Sequence, residues 1–270
     1  MRIAITRAVS PAISRCELTH LSRSPVDFDL ACAQHDAYER ALRSAGCEVV
    51  SLPARPDLPD SVFVEDAAVA LDGVAILTRP GAPSRRAEVD TVGEALAPYR
   101  PLARIEAPGT LDGGDVLTVG KMIYAGRSSR TNPAGVDQLR VLAARHGYEV
   151  RPVAVTGCLH LKSAATLVAP GTLLLNPAWV DPEAFHPHRI IEVDPAEPYA
   201  ANALRIGSQV IYSSSYPRTR ARLSAEGVAV VPVDVSEMEK AEGAVTCCSL
   251  VLEARPPGGE RRGAAGGGPC

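Results

Sequence analysis

Near the carboxyl end of the chain a glycine, Gly243, precedes Ala244, Val245, Thr246 and a cysteine pair, Cys247 and Cys248. Far upstream His160 stands in Leu159-His160-Leu161-Lys162, and acids occur in two small groups, Glu65-Asp66 and Asp112-Gly113-Gly114-Asp115. A thiol, an imidazole and several carboxylates are the parts of a nucleophilic catalyst for a cationic substrate. The thiolate attacks, the imidazole moves protons, and the acids hold positive charge. A cysteine pair in an apolar strand is by itself ordinary core material. Alternation along a strand over 248–252 turns Cys248 away from Cys247 and leaves Cys248 in that role. The remaining groups are far apart in sequence, so the elements that carry them decide whether they can act together.

A chain of 270 residues, 46% of them hydrophobic, can build one large core or two small ones. A net charge of −3 and an aromatic content of 4% argue against a nucleic-acid surface, which calls for clustered basic and stacking side chains. The start, Met1-Arg2-Ile3-Ala4-Ile5-Thr6-Arg7, is too short and interrupted for a signal peptide, and no apolar run is long enough to span a bilayer. Seven irregularly spaced cysteines read as reduced thiols in a cytoplasmic protein. Cys158 and His160 lack the second pair of a structural zinc site, and there is no P-loop or dinucleotide fingerprint, so no metal or cofactor is expected. Residues 1–254 read as one catalytic domain. Residues 255–270, rich in Gly, Pro and Arg, read as a disordered tail ending in an incidental thiol, Cys270.

A unit recurs along the chain: a polar residue, an apolar strand, a turn, a second apolar strand, and often a helix. Copies begin at Glu65-Asp66, Gly114-Asp115, His160, Ala201-Asn202 and Cys247. The first has strands over 67–71 and 74–78 and a helix over 85–96. The second has strands over 116–119 and 122–125 and a helix over 134–146. The third has strands over 165–168 and 173–175. The fourth has strands over 204–206 and 210–212 and a helix over 219–226. The fifth stops after its strand at 248–252, and its missing half is the amino-terminal strand over 2–8 with a helix over 27–45. Third strands are expected over 48–52, 147–153 and 228–233. The starts are roughly 42–49 residues apart, the range of propeller repeats. Pairing the two chain ends would close a ring and remove free sheet edges. Every unit would then begin at the ring axis, where the acids, His160 and Cys247 converge.

Six collinear segments resemble the dimethylarginine dimethylaminohydrolase family. They are the stretches around Asp60, Glu65 and Asp66; around Arg79 to Arg86; Leu111 to Asp115; Ser129-Arg130-Thr131-Asn132; Leu159 to Lys162; and Thr246 to Ser249. The resemblance runs nearly the whole chain up to about Leu252. It implies a five-bladed α/β propeller, or pentein, with ββαβ repeats around a central active-site channel. It also implies hydrolysis of asymmetric dimethylarginine and monomethylarginine to citrulline and a methylated amine. Cys247 matches the nucleophile and His160 the general acid and base. Asp66 matches the guanidinium-binding carboxylate, with Glu65 close by. Asp112 falls where members carry Glu or Asp. Arg85 and Arg130 match the arginines that hold the substrate carboxylate. Leu18, Asp60 and Ala241 fall where the amino-acid end of the substrate is contacted, and 18–24 resembles a mobile lid.

The chemistry fits these residues. A guanidinium is a poor electrophile, so carboxylates must hold and polarise it, and Asp66 can accept two of its N–H bonds side by side. A thiol of ordinary pKa about 8.5 is mostly protonated at neutral pH, and a cation beside it favours the thiolate. His160 can protonate the departing amine and then activate water, with Asp112 orienting the ring. Two other readings remain. An arginine deiminase or amidinotransferase would carry an acid where Lys162 stands. A non-catalytic propeller acting as a binding module would have no reason to assemble these groups. The expected partner is a small molecule. The oligomeric state is open, a homodimer among the possibilities.

Overall fold

The hairpins close on tight glycine turns: Gly120 and Gly207 adopt φ of 61° and 62°, a left-handed conformation that only glycine takes without strain. In the computed structural model, which describes residues 1–253, the hairpins are Ala68–Leu71 with Val74–Leu77, Val116–Val119 with Met122–Arg127, Ala165–Ala169 with Thr172–Leu175, and Ala203–Ile206 with Gln209–Ser213. Each second strand also pairs in parallel with a third: Leu102–Arg104, Glu149–Ala154, Arg189–Glu192 or Ala229–Val233. Parallel neighbours need a crossover. Helices Val89–Leu96, Pro133–Ala144 and Pro217–Ala225 supply three of these, and a short 3-10 turn, Pro182–Phe185, the fourth.

The remaining sheet, the first blade in chain order, joins the two ends of the described chain. Arg2–Arg7 pairs antiparallel with Leu250–Glu253, Ile5 opposite Leu250, and parallel with Cys47–Leu52 across helix Phe28–Ser44. The Asp27 side chain caps that helix by accepting from the Leu30 amide at 3.0 Å.

Each sheet is buried on both faces, and the alternation of its strands shows how. Ile3 and Ile5 pack toward Leu77 and Val92 of the second blade, while Ala4 packs toward Ile211 and Val233 of the fifth. Leu173 and Leu175 join Tyr124 and Phe185 between the third and fourth blades, and Leu174 joins Val210 and Tyr212 between the fourth and fifth. Ile76 meets Ile123 and Leu139 between the second and third. Five apolar clusters, one between each pair of neighbours, close the ring, so the five-bladed α/β propeller read from the repeat is the observed architecture.

Three local features differ from the sequence expectation. The last strand begins at Leu250, so Cys247 and Cys248 lie on the turn before it. Cys248 is core because the turn buries it against the first blade, not because of strand alternation. The helix expected over 85–96 divides into a 3-10 segment, Pro83–Glu88, and the helix Val89–Leu96. The third strands Leu102–Arg104 and Arg189–Glu192 were not anticipated, being three and four residues long and too short to show a period. The tail at 255–270 and Cys270 lie outside the described residues. Among those residues no helix is long and apolar enough to cross a membrane.

Candidate active site

The first strands of three hairpins and the closing strand Leu250–Glu253 are each entered from a tight turn on the ring axis, and those turns carry the reactive groups. The 3-10 turn Val64–Ala67 presents Glu65 and Asp66. The turn Gly113–Asp115 follows Asp112. His160 is the N-cap of the single helical turn Leu161–Ala164, and Cys247 sits on the turn before the closing strand. Cys247, His160, Asp66, Arg85, Arg130, Asp60 and Ala241 all line one cavity of about 10 Å³. A space of that size holds about one water.

His160 stands between two carboxylates. Its Nε2 is 3.0 Å from Asp112 Oδ2, and its Nδ1 is 3.8 Å from Asp66 Oδ1. Asp112, fully buried, is fixed in turn by the Gly81 amide at 2.8 Å, with Arg130 Nη1 at 3.7 Å. Asp66 accepts from the Gly114 amide at 2.9 Å and from Arg85 Nη1 at 2.6 Å. Burial alone would lower the ring pKa, but Asp66 first, then Asp112 and Asp115, outweigh it and raise His160 to about 9. The reciprocal attraction of His160 and Arg85 holds Asp66 well below the usual carboxylate range despite its burial. Asp66, Asp112 and His160 have ligand atoms within 4.8 Å of one another, the one such group among the described residues. An imidazolium between two carboxylates is an ion-pair arrangement.

Cys247 is partly buried, and burial together with the charges of Glu65 and Asp66 pushes its thiol well above the ordinary range. Its turn is pinned from three blades. Tyr38 donates to the Val245 carbonyl at 2.7 Å, Glu65 N donates to the Cys247 carbonyl at 3.1 Å, and Thr246 N donates to Asn202 Oδ1 at 3.0 Å.

Glu65, Arg85 and Leu18 are placed differently from their sequence reading, while Asp60, Arg130 and Asp112 stand at the site with further partners. Glu65 does not line the catalytic cavity. Its carboxylate accepts from Lys162 Nζ at 2.6 Å and from Thr246 Oγ1 at 2.7 Å, and it faces a separate cavity of about 390 Å³. Arg85 is buried with every guanidinium nitrogen engaged by Asp66, Glu88 or the carbonyls of Asp60 and Phe63. The single Glu17 N–H is shared between both Asp60 carboxylate oxygens at 3.2 Å, so Asp60 anchors the root of the 18–24 loop. Leu18 packs against the first-blade cluster rather than lining the cavity, and Arg130 reaches the same loop through Thr19 Oγ1 at 3.2 Å. Asp112 stands behind His160.

Other residues that shape the site have no individual role in the sequence reading. Asp115 is wholly buried and accepts from the Leu161 amide at 2.9 Å and from the Ser128 and Thr131 hydroxyls at 2.6 Å, which fixes the turn that starts at His160. Burial raises its carboxyl to about 6. Asn202 bridges the Lys162 carbonyl and Thr246, tying the imidazole turn to the nucleophile turn. Both stand at unit starts, the signal that could have found them. Glu242 had no such signal: at φ 56° it turns a carboxylate to the amides of Thr19, His20 and Leu21, latching the loop over the cavity.

The architecture, with a thiol, an imidazole and carboxylates gathered at its axis, defines a pentein-fold propeller. Comparison with known proteins is consistent with this class. A family profile described as N,N dimethylarginine dimethylhydrolase, eukaryotic, matches residues 22–165. The N(G),N(G)-dimethylarginine dimethylaminohydrolase of Streptomyces coelicolor is 44% identical over 250 residues, covering 92% of this chain and 96% of that protein. The protein of the same name from Pseudomonas aeruginosa is 39% identical over 234 residues, covering 86% and 91%. A cysteine-to-serine mutant of the Pseudomonas aeruginosa enzyme, solved with citrulline, superposes with a TM-score of 0.88 at 37% identity, covering 92% of this chain and 98% of that one. The N-terminal domain of a cyanobacterial arginine dihydrolase shares the fold, with a TM-score of 0.80 at 17% identity over 93% of this chain and 98% of that one. The chain belongs to the dimethylarginine dimethylaminohydrolase family.

Proposed function

We propose that this protein hydrolyses N-omega-methylated arginines, asymmetric dimethylarginine and monomethylarginine, to L-citrulline and dimethylamine or methylamine. The observation that carries the reading is Cys247 and His160 on one cavity, with Asp66 and Asp112 at 3.8 and 3.0 Å from the ring; these charges raise His160 to about 9, and burial raises the Cys247 thiol well above its ordinary range. In the resting site the acid is loaded and the nucleophile is not. A guanidinium seated on the free lone pairs of Asp66 brings positive charge beside the sulfur, and the thiol proton leaves to solvent. The thiolate attacks the guanidinium carbon. His160 gives its proton to the methylated nitrogen, the C–N bond breaks, and the amine departs from a thiouronium on Cys247. The neutral ring then takes a proton from water, the resulting hydroxide adds to the same carbon, and the C–S bond breaks to release citrulline.

Arg130, beside the lid, pairs with the substrate carboxylate, while Arg85 sets the position of Asp66. Asp60 and the Ala241 backbone meet the amino-acid end, and Leu18 moves with the lid. Glu65 supports the nucleophile turn. A cavity of about 10 Å³ takes no arginine, so the loop latched by Glu242 opens for entry. Lys162 turns to Glu65 and adds no carboxylate at the position where an arginine deiminase would carry one, which favours a methylated guanidinium with fewer N–H donors. Residues 1–254 act as one catalytic unit on a small molecule. Six free thiols among the described cysteines fit a cytoplasmic setting.

The test is citrulline release from asymmetric dimethylarginine, monomethylarginine and arginine by the wild type and by Cys247→Ser. Release from the methylated substrates that vanishes in the variant is expected. Turnover of arginine alone would instead make the protein a deiminase.

A further inference from the structure

Beside the lid lies a second chamber of about 240 Å³ that shares Leu159, Glu242 and Gly243 with the catalytic cavity. Its lining includes Tyr199, Tyr216 and Glu239, with His20 of the lid. Among the described residues no lysine or arginine lines it. Its two carboxylates are held only by neutral donors: Glu239 by the Ser213 and Ser215 hydroxyls at 2.6 and 2.8 Å, and Glu242 by the lid amides. Such bonds orient a carboxylate without cancelling its charge. Two phenol rings add negative π-faces, which attract a cation and accept contact from its methyl groups. Tyr199, 40% exposed, packs edge-on against Trp179, the rings 5.0 Å apart at 61°.

We propose that this chamber binds N-methylated cations: the alkylammonium ion that the hydrolysed amine becomes in neutral water, or a methylated guanidinium. The proposal rests on the hydrolytic reading only for the source of the ligand. The chemistry of the walls is independent of it. A charged head faces Glu239 and Glu242, and methyl groups face the tyrosines. Because Glu242 also latches the lid, an occupant that takes a hydrogen-bonding position on its carboxylate competes with the Thr19, His20 and Leu21 amides and loosens the closed loop. A released amine would thereby help reopen the site.

Trp179 is the one tryptophan of the chain and touches the chamber wall through Tyr199, so its emission reports occupancy without turnover. The full chain is titrated with dimethylammonium chloride and with N,N-dimethylguanidinium chloride, against ammonium chloride at equal ionic strength. A saturable change with a methylated cation and none with ammonium is expected. Its midpoint rises about threefold or more in Glu239→Gln and in Tyr216→Leu, and is unchanged in Asp66→Asn. Saturation by dimethylammonium identifies the released amine as the ligand, and saturation by the guanidinium alone identifies the substrate headgroup. The proposal is overturned if ammonium acts equally, if neither methylated cation saturates, or if the midpoint follows Asp66→Asn and ignores Glu239→Gln. The last result would place the response in the catalytic cavity. Failure of citrulline release with saturation intact would reject the hydrolytic reading and leave the chamber standing.

Discussion

Replacing Asp112 by Asn removes one charge from the imidazole and preserves shape. Asp112 Oδ2 lies 3.0 Å from His160 Nε2, and Oδ1 accepts from the Gly81 amide at 2.8 Å, a bond that an amide oxygen keeps. The new Nδ2 donates to Nε2 and favours the neutral ring. Between full charges at 3.0 Å, an effective dielectric of about 20 gives roughly 5 kcal/mol. Burial, which disfavours the imidazolium, offsets much of this, and Asp66 at 3.8 Å retains its share. The net fall in the ring pKa is then about 1–3 units, the usual effect of one close opposite charge. His160 titrates near pH 6–8 rather than about 9.

The assay is kcat/KM for asymmetric dimethylarginine against pH, with His160 followed in parallel by imidazole NMR and assigned with His160→Gln. The alkaline limb, which reports the loaded acid, should move down with the ring signal. If limb and signal both stay within a few tenths of a pH unit, Asp112 does not set the proton and the reasoning fails. Stability should follow the same sign. The folded-state pKa exceeds the ordinary value near 6.5, so folding favours the protonated ring. That stabilisation is complete below about pH 6.5 and is lost as pH rises through about 9. Denaturant titrations should show the wild type losing it across this window, and Asp112→Asn losing less.

Gly114→Ala should cut kcat by about a hundredfold or more with little change in the circular dichroism spectrum, because a Cβ there would lie 2.6 Å from His160 Nδ1 and 2.9 Å from Asp66 Oδ1. Asp115→Ala strands the Leu161 amide and the Ser128 and Thr131 hydroxyls in the interior. It should cost roughly 3–5 kcal/mol in equilibrium unfolding, and a loss below 1 kcal/mol would contradict the assigned network. Glu242→Ala removes the acceptor shared by three lid amides. Hydrogen exchange at 19–21 should then accelerate about tenfold or more, with KM changing further than the rate of the chemical step, and unaltered exchange would show that the loop is held elsewhere.

The ring architecture was legible in the sequence because each unit repeats a local pattern: apolar alternation, a glycine turn, then a helix or a third strand. Strand and turn propensities act over a few residues, so Gly120 between Val116–Val119 and Met122–Arg127 announces a hairpin without help from the rest of the chain. Cys247, His160, Asp66 and Asp112 were legible too, since their residue types stand at or near the starts of the units. What each carboxylate does was not legible. Glu65 and Asp66 are neighbours in sequence, yet the turn Val64–Ala67 points one at Lys162 and a separate cavity and the other at His160 and Arg85. Arg85 became a buried partner of Asp66, and Glu242 became a latch, through bonds to residues far away in the chain. Local periodicity determines which elements form. Side-chain partners and the proton affinities of His160 and Cys247 depend on charges and burial supplied by other blades, and only the closed ring brings those within reach.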